Sequence, residues 1–214
     1  MNNELNERVF SSISGIYDLF LSLATLGQIS RWQEELLKCA EAYKNHLDIG
    51  TGTGEVLIKS KGGLKVGLDI SLEMLKRAKR KESSGNFILA DALKLPFKDG
   101  SFNLITLSLT YRHLPKREEF LKEAKRVLDV SGKLCLLDIA RPPRVLVVLI
   151  KALGFLPGVL IFGIEKWRFL ISSIEHSQSL DEVLKELKSA GFEPTLVKTK
   201  LFSLIFIACS RRSL

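Results

Sequence analysis

Glycine at every second position directly after a short apolar strand constrains this chain more than any other feature. The run reads His46-Leu47-Asp48-Ile49-Gly50-Thr51-Gly52-Thr53-Gly54-Glu55. Glycines there let the backbone turn tightly and let a ligand approach the main chain without meeting a Cβ, so the run predicts a cofactor seat at a strand end. A dinucleotide fingerprint needs glycine at its first, third and sixth positions, with the pyrophosphate on a helix N-terminus. Counted from Gly50, the sixth position is Glu55, whose carboxylate would repel a diphosphate. A phosphate loop needs Gly-Lys-Ser/Thr after a four-residue gap, and the run does not continue that way.

Composition narrows the class. With 214 residues the chain is long enough for one domain with a substantial core and a modest insertion, and short for two. A formal charge of +8 permits contact with anionic surfaces, yet Lys and Arg are scattered along the whole chain, as on a solvated basic surface. Cys39, Cys135 and Cys209 lie far apart and form no CxxC pair. Neither a zinc site nor a disulfide framework is therefore expected, and a reducing cytoplasm is the default. Residues 1–8 are polar and of mixed charge, unlike a secretory signal. In the apolar stretch 145–164, Lys151 leaves an uncharged piece of residues 152–164 that contains Gly154, Pro157 and Gly158. A bilayer crossing needs about 20 residues, so no transmembrane helix is expected.

Beyond the glycine loop, strands and helices alternate. Residues 64–69 are a β-run ending in a second acid, Asp69, and Ser71 can cap the helix that follows. Residues 86–89 form a third strand leading to Ala90-Asp91-Ala92, and 103–108 a fourth, apolar on both faces. Phe120, Leu121, Ala124, Val127 and Leu128 share one helical stripe, after which Gly132 turns the chain into a fifth strand, 133–139. Ser179 and Glu182 form a capping box that opens a helix with Leu180, Val183, Leu184 and Leu187 at core spacing. Gly191 can stop it, and 192–200 with 202–209 make a closing strand pair. Near the start, Phe10, Ile13, Ile16, Tyr17 and Phe20 form the apolar stripe of an N-terminal helix. The predicted fold is α/β: a doubly wound, mostly parallel seven-stranded sheet covered on both faces, in one domain. Residues 1–43 form a helical cap, 44–140 the cofactor-binding core, 141–173 an apolar helical insert, and 174–214 the last helix and strand pair.

Ligands of such open sheets sit beyond the carboxyl ends of the strands, where strand order reverses. The residues at those ends are 50–54, Asp69, Asp91-Ala92 and 108–113, and they converge on one crevice. Their chemistry fits an adenosyl ligand. Asp69 can accept both ribose hydroxyls, Asp91 can accept from an adenine amino group, and Thr53 with the loop amides can hold an amino acid end.

With these motifs in place, the chain resembles the class I S-adenosylmethionine-dependent methyltransferases, and within them the ubiquinone/menaquinone biosynthesis C-methyltransferase (UbiE type) family. The resemblance rests on Val9-Phe-Ser-Ser-Ile with Tyr17-Asp18, on 48–54, Gly67-Leu-Asp-Ile-Ser71 and Ala90-Asp-Ala-Leu-Lys-Leu-Pro-Phe97, and on Ser101-Phe-Asn-Leu-Ile105, Arg126-Val-Leu128 and Trp167-Arg-Phe-Leu170 with Ser172-Ser173. It covers nearly the whole chain. It implies S-adenosylmethionine as cofactor, with roles for Thr53, Asp69, Asp91, Ala92 and Ser108; with the loop and strand ends, the expected cofactor site is Asp48, Gly50, Thr51, Gly52, Thr53, Gly54, Asp69, Ile70, Asp91, Ala92 and Ser108. Where the family usually carries Arg-Asn after the fourth strand, this chain has Arg112-His113.

A sulfonium methyl is already electrophilic, so such an enzyme must mainly hold the nucleophile in line and exclude water. No metal is required. Methylation at carbon needs an aromatic hydroxyl to lose its proton, and a cation beside the forming phenolate would stabilise it. Arg112 is the candidate for that electrostatic role and His113, with an ordinary pKa near neutrality, for the proton. Tyr17 is a third catalytic candidate. The insert 141–173 is long for a plain connection and rich in Leu, Val, Ile and Phe. Its Gly and Pro residues predict short helices around an oily acceptor pocket suited to an isoprenoid tail.

The expected partner is an apolar small-molecule acceptor. Arg141, Arg144, Lys151, Lys166 and Arg168 could also meet lipid headgroups, which would make the protein cytoplasmic and peripheral at the inner membrane face. The same apolar segment could instead pack on the domain or in a homodimer. Nucleic acid is not expected, because the turn after the fourth strand, Ser108-Leu-Thr-Tyr111, lacks the Asn/Asp-Pro-Pro-aromatic pattern of base-amine methylation and the insert is apolar. Methylation of another small molecule and a non-catalytic adenosyl-binding regulator remain alternatives.

Overall fold

The computed structural model describes residues 3–40, 43–61 and 63–213. Of the stretches discussed above, Met1, Asn2, Glu41, Ala42, Gly62 and Leu214 lie outside the described residues. Three helices come first: α1 (Asn3–Ile13), α2 (Tyr17–Ala24) and α3 (Gln28–Lys38). The core then alternates β1 (Asn45–Ile49), α4 (Glu55–Lys59), β2 (Leu64–Asp69), α5 (Leu72–Lys81), β3 (Asn86–Leu89), β4 (Phe102–Ser108), α6 (Arg117–Val127) and β5 (Leu128–Ile139). Next are α7 (Arg144–Phe162), α8 (Ile164–Glu175) and α9 (Leu180–Ser189), and the chain closes with β6 (Phe192–Lys200) and β7 (Ile205–Arg212).

The seven strands form one sheet in the order β3-β2-β1-β4-β5-β7-β6. The first five run parallel, while β7 is antiparallel to both β5 and β6. Strand order reverses between β1 and β4, so the crevice opens at their carboxyl ends. Side-chain alternation sorts the core into two layers. Ile105, Leu107, Leu134, Leu136, Phe206 and Ala208 pack on one face with α6 and α9. Leu104, Cys135, Leu137, Ile207 and Cys209 pack on the other with Trp32 and Leu36 of α3. The three cysteines, distant in sequence, thus meet in one layer, with Cys135 opposite Cys209 and Cys39 beside them.

Local signals set several boundaries. Ser71 Oγ accepts from Met74 N–H at 3.2 Å to open α5. Both legs of the capping box at Ser179 and Glu182 are present at α9. Other boundaries moved. The fifth strand begins at Leu128, opposite Phe102, and its register shifts before Lys133 pairs with Leu104, so Gly132 sits within an irregular stretch of strand. The last strand begins at Ile205, because residues 201–204 form the hairpin turn, with Leu201, Phe202 and Ser203 at positive φ. The N-terminal stripe is divided between two helices, which leaves Ile16 exposed.

The largest correction concerns the insert. In place of short helices, α7 is continuous for 19 residues, with Pro157 inside it. Gly154 and Gly158 act in packing: a Cβ at Gly154 would lie 2.7 Å from the Trp167 ring of α8, and one at Gly158 would strike the same indole. The glycines form a notch for the tryptophan, and the helix runs on past them. By length and composition α7 is apolar enough to cross a membrane, with a mean hydropathy of 2.5 over its apolar window, which corrects the expectation that Lys151 would break the run. Lys151 instead pairs with Glu175 of α8 at 2.8 Å. Val9 and Ile13 of α1, Phe162 of α7 and Trp167, Leu170 and Ile171 of α8 form a third, smaller core.

Candidate active site

A cavity lies at the carboxyl ends of β1, β2 and β4, under α1 and α2. Its sheet side is polar and anchored by main chain. Gly50, Gly52 and Gly54 all have positive φ. At Gly50 a Cβ would collide with the Thr110 side chain, and at Gly52 one would meet nothing within 4 Å and enter the cavity, so both positions exclude larger residues for different reasons. Gly54 stands off the cavity and caps α4, against Ala78.

Asp69 is buried at the end of β2, where its carboxylate accepts from Gly52 N–H and Ser71 N–H, each at 2.8 Å. Burial pushes its pKa up while those backbone donors pull it down. Asp48, 1% exposed, accepts from the Thr106 hydroxyl at 2.6 Å, and burial lifts its carboxyl to about 7. Asp91 accepts from Leu93 N–H at 2.9 Å and from the Asn3 side chain at 2.7 Å. Thr53 donates its hydroxyl to Asp18 of α2 at 2.6 Å, and Lys81 ties Asp18 to Glu55. Thr51, Ile70, Ala92 and Ser108 complete this wall. Of the eleven sequence-derived cofactor positions, the fold gathers ten around the cavity. The acidic groups and exposed main chain fit a ligand with hydroxyls, an amino group and a sulfonium cation.

The helical side is different. His113 sits at the end of a single 3-10 turn, Tyr111–His113, after β4, and it is 5% exposed. Its ring stacks on Phe169 of α8 at 5.9 Å and meets Phe10 of α1 edge-on at 5.1 Å, and neither ring nitrogen has a hydrogen-bond partner. Burial, then the charge of Arg112, holds its pKa well below 6.5. That corrects the expectation of an imidazole titrating near neutrality. Beside it, Asn6 of α1 donates to the His113 carbonyl at 2.9 Å while its own side-chain oxygen is buried and unpartnered. Tyr17 joins the wall with its hydroxyl pushed up to about 12, chiefly by burial.

Arg112 stands off the cavity. Its guanidinium pairs with Asp138 at the end of β5 and donates to the Leu109 carbonyl at 2.8 Å. Asp138 also accepts from Arg112 N–H at 3.0 Å. Leu109 itself has φ +58, a left-handed strain that costs about 1–2 kcal/mol in an L-residue and bends the chain from strand into the 3-10 turn. Asn6, Phe10, Phe169 and Asp138 were missed as site residues. Phe10 and Phe169 lay within family motifs, whereas nothing in local spacing marked Asn6 or Asp138. Among the described residues, none from the insert lines this cavity; Phe169 backs it through His113.

The sheet order, the loop after β1 and the acids after β2 and β3 define a class I S-adenosylmethionine-dependent methyltransferase. A solved S-adenosylmethionine-dependent methyltransferase from Thermotoga maritima superposes with a TM-score of 0.71 at 19% identity, covering 97% of this chain and 99% of its own. The ubiE/COQ5 methyltransferase family matches residues 1–209, and the chain belongs to that family. It is 34% identical over 200 residues to a demethylmenaquinone methyltransferase of Thermus thermophilus, covering 86% of this chain and 91% of the relative. It is 31% identical over 210 residues to the ubiquinone/menaquinone biosynthesis C-methyltransferase UbiE of Rickettsia massiliae, covering 88% and 85%. The protein is thus a methyltransferase that uses S-adenosylmethionine and acts on a small molecule.

Proposed function

We propose that this enzyme methylates a ring carbon of a quinol-type or prenylated phenolic acceptor, with the acceptor hydroxyl bound between His113 and Asn6. The observation that carries the reading is a 5%-exposed imidazole, clamped by two phenyl rings, with both nitrogens unpartnered next to an unpartnered amide oxygen. A buried polar group without a partner costs about 1–3 kcal/mol, so it is suited to a ligand that supplies one. The relatives' names, demethylmenaquinone methyltransferase and UbiE, support an aromatic acceptor with an apolar tail.

When bound, S-adenosylmethionine supplies an electrophilic methyl group on a positively charged sulfur. Asp69, Asp91 and the 50–53 loop would hold its adenosyl and amino acid ends. The chain's other task is to orient an aromatic ring in a dry site. Phe10 and Phe169 fix the plane of His113, which presents a neutral imidazole at pH 7 and can accept the acceptor's hydroxyl proton. Arg112 acts through the low-dielectric interior without touching the cavity. Its charge depresses His113 and draws down the Tyr17 hydroxyl against a larger upward push from burial. The same charge favours a developing phenolate, moderated by Asp138. Tyr17 stays protonated at neutral pH and serves as a hydrogen-bond donor. The enzyme works in the cytoplasm and meets its acceptor at the inner membrane face.

The test is methyl transfer from labelled S-adenosylmethionine to short-chain prenylated hydroquinones, with the position of the new methyl group read by mass spectrometry and NMR. Because burial and the Arg112 charge hold His113 well below its ordinary pKa, the acid limb of the rate should be displaced to the acid side of an ordinary imidazole's. His113→Asn should abolish that limb, and His113→Ala should cut kcat by about a hundredfold or more. Carbon methylation at the wild-type rate in both variants would remove His113 from the mechanism. Tight cofactor binding with no transfer to any phenolic acceptor would overturn the acceptor class.

A further inference from the structure

The helix α7 has an outer face that nothing in the molecule covers. Val145, Leu149, Leu153, Leu156 and Leu160 follow one another at helical spacing and are all exposed, Leu153 and Leu160 at 77%. Only 11% of the apolar window is buried, and α7 contains no acidic residue. The surface extends sideways: Phe20 of α2 meets Phe162 of α7 edge-on at 4.7 Å, and Leu19 and Leu23 of α2 with Leu26 just beyond are exposed as well. A contiguous exposed apolar surface of this kind marks an interaction face.

A 19-residue apolar helix is long enough to span a bilayer, yet the sheet forbids it. The strand before α7, β5, and the last strand of the chain, β7, are hydrogen-bonded neighbours from Lys133↔Arg211 to Ile139↔Ile205. Spanning would put those two strands on opposite sides of the membrane. The notch that seats Trp167 of α8 in α7 holds the helix to the domain in the same way. The helix can only lie flat, with its outer stripe down.

Charge chooses what it lies on. Arg144 opens α7, and a shallow groove between α1 and α8 carries Arg8, Lys166 and Arg168 over a floor of Leu5, Val9 and Phe169, with Glu165 as its one acid. None of these four cations makes an ion pair among the described residues. α8, which carries Lys166 and Arg168, packs directly on α7 through Trp167, so unpaired cations and an apolar stripe sit on neighbouring helices, matching the layered chemistry of an anionic lipid surface, phosphates above acyl chains. A second copy of the chain would bring the same cations together.

We propose that α7, with the exposed edge of α2, is an in-plane anchor that seats the enzyme on an anionic phospholipid bilayer, with Arg8, Arg144, Lys166 and Arg168 meeting the headgroup phosphates. The proposal deepens the reading of an acceptor met at the membrane, since α1 and α2, which wall the cavity, border the same face.

The experiment is sedimentation of the full chain with vesicles of phosphatidylglycerol and phosphatidylcholine in equal parts, and with phosphatidylcholine alone. The wild type should partition strongly into the mixed vesicles, less into the neutral ones, and less again as salt rises. The double variant Leu153→Glu/Leu156→Glu should lose partition by at least about thirtyfold, and Lys166→Glu/Arg168→Glu by about tenfold. Thermal midpoints and calorimetric affinity for S-adenosylmethionine should stay at wild-type values in both. Wild-type protein that remains in solution, a Leu153→Glu/Leu156→Glu variant that binds like wild type, or equal binding to both vesicle types would overturn the proposal. So would a dimer that ignores vesicles and falls apart in the leucine variant, which would show that a second copy covers the face. Because the readout is partition, a failure here leaves methyl transfer to a phenolic acceptor standing, and the reverse also holds.

Discussion

The two sides of the cavity are built by different means. On the sheet side, recognition groups sit at strand ends and are tied by backbone donors of the strand-end loops: Asp69 is held by Ser71 two residues on and by Gly52 of the neighbouring loop, and Asp91 by Leu93. On the helical side, His113 is held by rings and an amide from Phe10, Phe169 and Asn6, which lie 56 or more positions away along the chain. The sheet side can keep one ligand chemistry across a large fold class because β-strand ends impose its geometry. The helical side depends on which helices pack over the cavity, so a shifted helix or one replaced side chain would reshape it.

Four variants would break or sharpen that contrast. The largest effect is expected at the polar joint between the sides, where Arg112 and Asp138 are both nearly buried. Asp138→Ala leaves a buried guanidinium without its counter-charge and should cost about 3–5 kcal/mol in denaturant unfolding. Adding Arg112→Met should recover much of that loss, and no recovery would mean that the pair is not the source of the cost. Next, Gly52→Val places a branched side chain at φ +54 facing the cavity. Calorimetry should show affinity for S-adenosylmethionine reduced by about a hundredfold or more, with the acceptor side intact.

Asp69→Ala removes a carboxylate from the same wall and should weaken cofactor binding by about 1.5–3 kcal/mol. Unchanged affinity in a folded variant would remove Asp69 from the cofactor site. The smallest effect belongs to Asn6→Ala on the helical side. It should raise KM for the acceptor by the worth of one hydrogen bond, about 0.5–1.5 kcal/mol, and leave cofactor affinity alone. If Asn6→Ala instead weakens S-adenosylmethionine binding as much as Asp69→Ala does, the division of the cavity into two sides fails.

Much of the fold was legible in the sequence because its signals are local. The glycine loop, the Ser71 cap and the capping box at Ser179 each act over a few residues, and strand alternation sorts side chains to the two sheet faces. The parallel order with a closing antiparallel pair followed from the same patterns. The reading failed where a local signal had a distant cause. Gly154 and Gly158 looked like helix breaks, but they make room for Trp167. Gly132 looked like a turn and lies in a strand with shifted register. The three cysteines looked unrelated and share one core layer.

The sequence alone determined where the first four strands end, and hence which residues gather at the crevice, since spacing along the chain encodes backbone geometry there directly. Tertiary structure decided the rest. It turned Arg112 onto Asp138, left both nitrogens of His113 without partners between Phe10 and Phe169, and put the outer stripe of α7 on the surface. Those outcomes depend on which segments pack together across the fold. Burial, charge pairing and pKa follow from that packing, and local spacing carries no record of it.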